Sequence, residues 1–303
     1  MIGSRRSRLA RIQTRRVGAL LLARRPGIRI EYRTLDTAGD RDRTTPLPEI
    51  GGKGVFTRDL EAALEGGELD LVVHSLKDLP TETDGAPTVV AIPERHDPRD
   101  VFIVRPDLLD GVSGLEDLPP HLRIGTSSTR RAAQTRRGLR EPEIEPLRGN
   151  VETRLARVEA GDLDGVVLAA AGLDRLELRP AGAMRLDLAS WPGAPGQGAL
   201  AVQWRQGDER ARELAEMIHD PVVAAAVGAE RALLGRLGGG CSLPVGAVAT
   251  HHGPRLRLVA AVYPPDPCDP VIEGSAEAPP NEADRLGISL AERLLDAGAS
   301  GFL

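Results

Sequence analysis

Short apolar runs separated by helical patterns constrain this chain more than anything else in it. Residues 69–74, 89–92 and 101–104 are apolar runs of strand length, and residues 28–35 alternate as a half-buried strand does. Between them, Leu9, Ile12, Gln13, Val17, Leu20 and Leu21 recur at helical spacing after a short loop over residues 2–7. Residues 57–65 read as a second helix, with Leu60 and Leu64 inward. After residue 104 the pattern restarts. Strands are expected over 122–125, 144–147 and 165–170, a helix over 132–139, and another carrying Thr153, Arg154 and Arg157. Strands alternating with helices predict parallel, doubly wound α/β sheets. The restart predicts two of them.

Two further segments complete the organisation. Residues 93–99 are polar and read as a crossing between the halves, and residues 195–202 feed a strand expected to return to the first half, giving a hinge of two crossings. Residues 220–237 form an Ala-rich helix, three antiparallel strands follow, and an amphipathic helix carries Leu286, Leu290, Leu294 and Leu295. The expected domains are therefore 1–98 with 197–219, 99–196, and a smaller α+β domain over 220–303.

In open α/β sheets, ligands sit beyond the carboxyl ends of the strands. The strand over 69–74 runs into Ser75-Leu76-Lys77-Asp78-Leu79-Pro80, which places a Lys–Asp pair at that position. Asp78 there suits proton transfer, and Lys77 suits holding negative charge. Two loops open helices with small hydroxyl residues and arginines: Ser4-Arg5-Arg6-Ser7 near the start of the chain, and Thr126-Ser127-Ser128-Thr129-Arg130-Arg131 at a strand end. Free N–H groups at a helix start favour anions, and Arg grips carboxylates in bidentate fashion. Arg148 and Arg175 also follow strand ends, and Arg154 sits in the helix after Arg148. Lys53, among glycines in a long polar loop, fits either a surface turn or a reach to a ligand. Gly238-Gly239-Gly240-Cys241-Ser242-Leu243-Pro244 fits either a turn around a buried cysteine or a loop that displays the thiol.

Composition narrows the function classes. Aromatic residues make up 2% of the chain, so cores are built from Leu, Val, Ile and Ala, and base stacking has few rings to use. The net charge of −5 argues against a broad nucleic-acid surface. Lys53 and Lys77 are the only lysines among 39 basic residues. Two cysteines make no disulfide framework, which suits a reduced, cytoplasmic setting. The run over 17–23 is too short to span a membrane, and the arginines around it lack a clear cleavage site. The six histidines show no metal-ligand spacing, no Walker loop is present, and His74 reads as structural.

Taken together, IGSRRSRLARIQ, GGKGVFTRDL, VVHSLKDLP, GTSSTRRAA, LRGNVETRL, AAAGLDRL, GQGA and AERALLGRLGGGCSLPVG resemble the porphobilinogen deaminase (hydroxymethylbilane synthase) family, in its order and from end to end. The resemblance implies two α/β domains like those of two-lobed solute-binding proteins, and a third domain carrying the cysteine. It implies a dipyrromethane cofactor joined to Cys241 by a thioether. Four porphobilinogen molecules are added, each losing ammonia, before water releases the linear tetrapyrrole. Asp78 is the implied catalytic carboxylate. Lys77, Ser128, Arg130, Arg131, Arg148, Arg154 and Arg175 are implied to hold the cofactor, and Arg5, Ser7, Gln13 and Lys53 the substrate. The implied enzyme is a cytoplasmic monomer that needs no metal, nucleic acid or membrane. Gly238, Glu49, Ser4 and Thr129 depart from the family's usual residues, outside the core of the implied site. The other reading of the same arginines is a two-lobed binding protein for an acidic small molecule.

Overall fold

The computed structural model describes residues 1–41, 54–81, 89–240 and 243–303. In chain order, the first lobe begins with β1 (Ile2–Arg5), α1 (Arg8–Arg24), β2 (Tyr32–Leu35), α2 (Ala38–Arg41), α3 (Arg58–Glu65), β3 (Leu71–Ser75) and β4 (Val89–Ala91). The second lobe holds β5 (Asp100–Val104), β6 (Arg123–Gly125), α4 (Thr129–Gly138), β7 (Glu143–Glu145), α5 (Val151–Glu159), β8 (Gly165–Ala169), α6 (Ala170–Leu176) and β9 (Ala183–Arg185). The chain then returns through β10 (Leu200–Trp204) and α7 (Glu209–Glu216). It ends in α8 (Pro221–Arg236), β11 (Val245–His252), β12 (Arg255–Val262), β13 (Ile272–Ala278) and α9 (Ala283–Asp296).

The two large sheets have matching topologies, β2-β1-β3-β10-β4 and β7-β6-β8-β5-β9. Each has a parallel trio, β2-β1-β3 or β7-β6-β8, but neither is wholly parallel as the alternation predicts. β10 runs antiparallel between β3 and β4, and β5 antiparallel between β8 and β9. The reason is connectivity. β5 and β10 are the strands that arrive directly from the other lobe, so each enters its sheet against the local direction. The third sheet is an antiparallel meander, β11-β12-β13, covered by α8 and α9.

Residues 2–5, read above as loop, form a strand because Ile2 to Ser4 are buried, all four residues pair with β2, and Ile2 and Gly3 also pair with β3. α4 begins three residues earlier than its apolar spacing suggests. The Ser128 hydroxyl accepts from the Arg131 amide at 3.4 Å and caps it there. Ser7 caps α1 by accepting from the Ala10 amide at 3.2 Å, and Asn150 caps α5 by accepting from Thr153 at 2.8 Å. Packing is almost wholly aliphatic. Val17 and Leu21 of α1 meet Leu71, Val73, Leu200 and Val202, while Ile103, Val166 and Leu168 meet Leu155 and Leu173. Each such buried side chain contributes about 1.5–3 kcal/mol.

The two crossings lie side by side. The His96 amide donates to Gly198 at 3.0 Å, and the Leu200 amide to Glu94 at 3.1 Å. Gly198 has φ +87°, and a Cβ there would stand 2.4 Å from the His96 carbonyl oxygen, so this close approach requires glycine. The carboxylate of Glu230, buried on α8, accepts from Arg95 in one crossing at 2.8 Å and from the Gly196 amide in the other at 2.7 Å. It also accepts from the Ala249 amide of β11 at 2.7 Å.

Candidate active site

The carboxyl ends of β1 and β3 lie together because the strands are parallel neighbours. β1 therefore delivers Arg5, and β3 delivers Ser75 and the turn Leu76–Asp78. A cavity of about 70 Å³ at this place is lined by Arg5, Ser7, Gln13, Phe56, His74 and Asp78. Gln13 Nε2 donates to Ser75 Oγ at 2.9 Å, which fixes the amide against the strand end. The Arg5 guanidinium lies 4.1 Å from the centre of the Phe56 ring, a cation–π contact in the cavity lining. His74 hydrogen-bonds Gln203 at 3.1 Å, and burial pushes its pKa down to about 4. A neutral imidazole in the core fits the structural role read for it.

Across the cleft, the carboxyl end of the second sheet supplies the arginines. Asp78 of the first lobe and Arg148 and Arg131 of the second all act on the charge of Arg154. Burial, with the repulsion of Arg131, brings the Arg154 guanidinium down to about 10. Arg148 donates to the Gly39 carbonyl at 3.4 Å, and Arg154 to the Gly149 carbonyl at 2.9 Å. Lys77 Nζ donates to Gln197 Oε1 at 3.0 Å. Burial, then the Arg131 guanidinium, lowers Lys77 to about 8, against the opposing pull of Asp78 and Asp100. Asp78 and Lys77 thus stand in one electrostatic neighbourhood with Arg131, Arg148 and Arg154.

Arg130 and Arg131 are buried in the first turn of α4 and turn back onto Asp100 at the start of β5. Arg130 Nη1 reaches Asp100 Oδ2 at 2.6 Å, and Arg131 Nη2 reaches Oδ1 at 2.7 Å. Trp191 Nε1 and Gln197 Nε2 also donate to this carboxylate, at 3.2 Å and 2.9 Å. Burial alone would raise the Asp100 carboxyl, but the two guanidiniums outweigh it and hold it far below the usual carboxylate range. Gln197 therefore joins Asp100 to Lys77. Gln134 continues the network by accepting from Arg130 at 2.7 Å and donating to the Tyr263 hydroxyl at 3.0 Å.

Arg175 lies away from this group. It donates to the Gly198 carbonyl at 2.9 Å and approaches Glu94 at 3.7 Å, both in the crossings. Burial lowers its guanidinium to about 10. Ser128 contributes its hydroxyl to the α4 cap. Lys53 and Cys241 lie outside the described residues. The sequence reading did not single out Asp100, Gln197 or Phe56. The signal for Asp100 was an acidic residue opening the apolar run Val101-Phe102-Ile103-Val104, and for Gln197 it was a polar side chain among the small residues of a crossing.

Among the described residues, no helix is long and apolar enough to cross a membrane. Among solved structures, the chain is similar to a probable amino-acid ABC transporter extracellular-binding protein, YtmK from Bacillus subtilis. The TM-score is 0.42 and the identity 12%, over 72% of this chain and 88% of that one. The family model described as "Porphobilinogen deaminase, dipyromethane cofactor binding domain" matches residues 1–213, and "Porphobilinogen deaminase, C-terminal domain" matches residues 224–296. A porphobilinogen deaminase of Syntrophotalea carbinolica is 44% identical over 302 residues, covering 100% of this chain and 94% of the relative. One of Leifsonia xyli is 45% identical over 312 residues, covering 99% of this chain and 92% of the relative. This chain belongs to the porphobilinogen deaminase family.

Proposed function

We infer that the chain carries out the reaction of its family. Four porphobilinogen molecules condense stepwise onto a covalently held dipyrromethane, each releasing ammonia, and water then releases hydroxymethylbilane. The enzyme is a transferase of tetrapyrrole (haem and porphyrin) biosynthesis. The observation that carries this reading at the site is that Lys77 of the first lobe and Arg131 of the second both donate to Gln197 Oε1, at 3.0 Å and 3.4 Å, while Arg148 of the second lobe reaches the Gly39 carbonyl of the first at 3.4 Å.

That donor set suits the group. A dipyrromethane built from two substrate units brings several carboxylates, and this cleft offers cations from both lobes. When bound as a thioether on Cys241, it supplies the nucleophilic pyrrole carbon. Arg131, Arg148 and Arg154 bind and orient carboxylates, with Lys77 held in place by Gln197. On the opposite side, Arg5, Ser7 and Gln13 receive the incoming porphobilinogen beside Asp78, and Lys53 assists from its loop. Departure of ammonia from porphobilinogen leaves an electron-poor methylene-pyrrole cation. The Asp78 carboxylate stabilises that cation, then takes up the proton that the new carbon–carbon bond displaces. Arg130 and Ser128 act from behind, through the helix start they anchor. Arg175 serves this site through the hinge.

The lobes of this enzyme are residues 1–98 with 197–219 and residues 99–196, and residues 220–303 form the unit that carries Cys241. It works as a cytoplasmic monomer, without nucleic acid or membrane. Intact mass spectrometry of the purified chain tests the reading. The expected result is an excess of two pyrrole units that disappears in Cys241→Ser. A wild-type chain of bare mass, binding dicarboxylates but releasing no ammonia, would establish a binding protein instead.

A further inference from the structure

His74 lines the Asp78 cavity while its residue is only 5% exposed. A chain of two hydrogen bonds, leading away from the cavity, settles which ring nitrogen carries the proton. Gln203 Nε2 donates to Glu61 Oε1 at 3.2 Å, and an ionised carboxylate can only accept. The Gln203 amide therefore turns its NH2 to Glu61 and its Oε1 to His74, 3.1 Å from the ring Nε2. An amide oxygen also accepts only, so the imidazole proton sits on Nε2. Nδ1 is left with a bare lone pair. The ring makes no other hydrogen bond or ion pair among the described residues. Neither Gln203 nor Glu61 lines the cavity, so Nδ1 is the nitrogen that His74 has left to offer there.

Burial, with a smaller push from the Arg5 guanidinium, lowers the His74 pKa to about 4 against the Gln203 hydrogen bond, so the ring is neutral at neutral pH. The cavity thus holds two acceptors of different kinds, the Asp78 carboxylate and a neutral nitrogen. Porphobilinogen brings two donors, its pyrrole N–H and its aminomethyl ammonium. Cleavage of the C–N bond sends the electron pair to nitrogen, releases ammonia and leaves the positive charge on the methylene-pyrrole. A carboxylate facing that nitrogen would hold the ammonium more tightly before cleavage than after, and so oppose the step. A neutral acceptor holds the nitrogen in place through both states, while the Asp78 carboxylate attracts the charge as it moves to the ring.

We propose that Nδ1 of His74 accepts a hydrogen bond from the aminomethyl nitrogen of porphobilinogen and so positions the leaving group. The proposal rests on the reaction inferred above and adds to it a residue that touches the substrate. The structural role of His74 is kept, because Nε2 serves it.

Two substitutions separate the nitrogens. His74→Gln puts an amide where Nε2 stands and keeps the bond to Gln203, but places no acceptor at the Nδ1 position. His74→Asn puts its amide where Nδ1 stands and loses the bond to Gln203. The expected result is a KM for porphobilinogen about tenfold higher in His74→Gln with kcat near wild type, and a KM closer to wild type in His74→Asn despite a lower urea unfolding midpoint. A purely structural His74 gives the reverse order and overturns the proposal. Glu61→Leu covers the case in which the histidine variants fail to fold. It frees the Gln203 amide to turn, without touching the cavity, and should raise KM a few-fold. Nitrogen NMR of holoenzyme labelled in its histidines should show the His74 proton on Nε2 in wild type and both tautomers in Glu61→Leu. A proton on Nδ1 in wild type overturns the proposal, as does a wild-type KM in both His74→Gln and Glu61→Leu. A wild-type chain that releases no ammonia from porphobilinogen overturns the reaction instead, and the tautomer is still read from the resting chain.

Discussion

The loop before α1 and the loop before α4 look alike in sequence, each with small hydroxyl residues and a pair of arginines ahead of a helix. The structure uses them differently. In the first turn of α4, the arginines turn inward and share one buried carboxylate, Asp100. Before α1, Arg5 lies over Phe56 at the edge of a cavity that also holds Asp78, and exposed Arg6 pairs with Asp36 at the surface. One helix start is tied to a carboxylate of its own lobe, and the other borders the cavity that Asp78 lines. A similar local pattern therefore fixes a helix start but not the direction its charges face. That direction depends on whether a distant strand brings a counter-charge.

Asp78→Asn should give the largest effect and touch the open side alone. Turnover is expected to fall by about 10²–10⁴-fold, the usual worth of a positioned acid–base group, with the urea unfolding midpoint unchanged. Asp100→Asn should do the reverse. It leaves two buried guanidiniums without their counter-charge, at a cost of about 3–5 kcal/mol measured by denaturant unfolding. Because the Asp100 pKa is depressed in the folded state, the stability it confers is complete above the ordinary carboxylate pKa of about 3.9 and is lost as pH falls toward the depressed value. The gap between wild type and Asp100→Asn should therefore close in acid. If both substitutions change turnover and stability in the same proportion, the contrast between the two loops is broken.

Lys77 sharpens the contrast at its seam. Its pKa of about 8 means that the free enzyme loses this cation as pH rises through 8, so kcat/KM for porphobilinogen should decline there. Lys77→Arg keeps the charge and should remove that decline. Stability should move the other way. Between pH 8 and 10.5 the unfolded chain holds the Lys77 proton that the folded chain has released, so stability rises with pH across that window. Phe56→Leu should be the smallest change. Loss of the ring beneath Arg5 should cost about 0.5–1 kcal/mol, read as a few-fold rise in KM with kcat unchanged.

The alternation of apolar runs and helical spacing made the two-lobed α/β plan legible. So did the placement of Asp78, because a strand end is where such sheets carry their sites. The antiparallel entries of β5 and β10 were not legible, because periodicity records which faces are buried and not which way a strand runs. The shared partner of Arg130 and Arg131 was hidden for the same kind of reason. Nothing local to residues 126–131 reveals that Asp100, some thirty positions earlier, lies beneath them. Arg175 was found at its strand end, yet its partner Glu94 belongs to a crossing whose fold sequence spacing does not describe.

Glu230 takes hydrogen bonds from both crossings and from β11 with one carboxylate. In a pair of hinged bodies, points on the axis travel least when the bodies swing. Glu230 ties the C-terminal unit to both crossings, so any swing of the lobes about those crossings would carry their inner walls past it while its own displacement stayed small. An anchor placed there is a fixed reference for both walls, much as a needle mounted on a pivot keeps its origin while the dial turns.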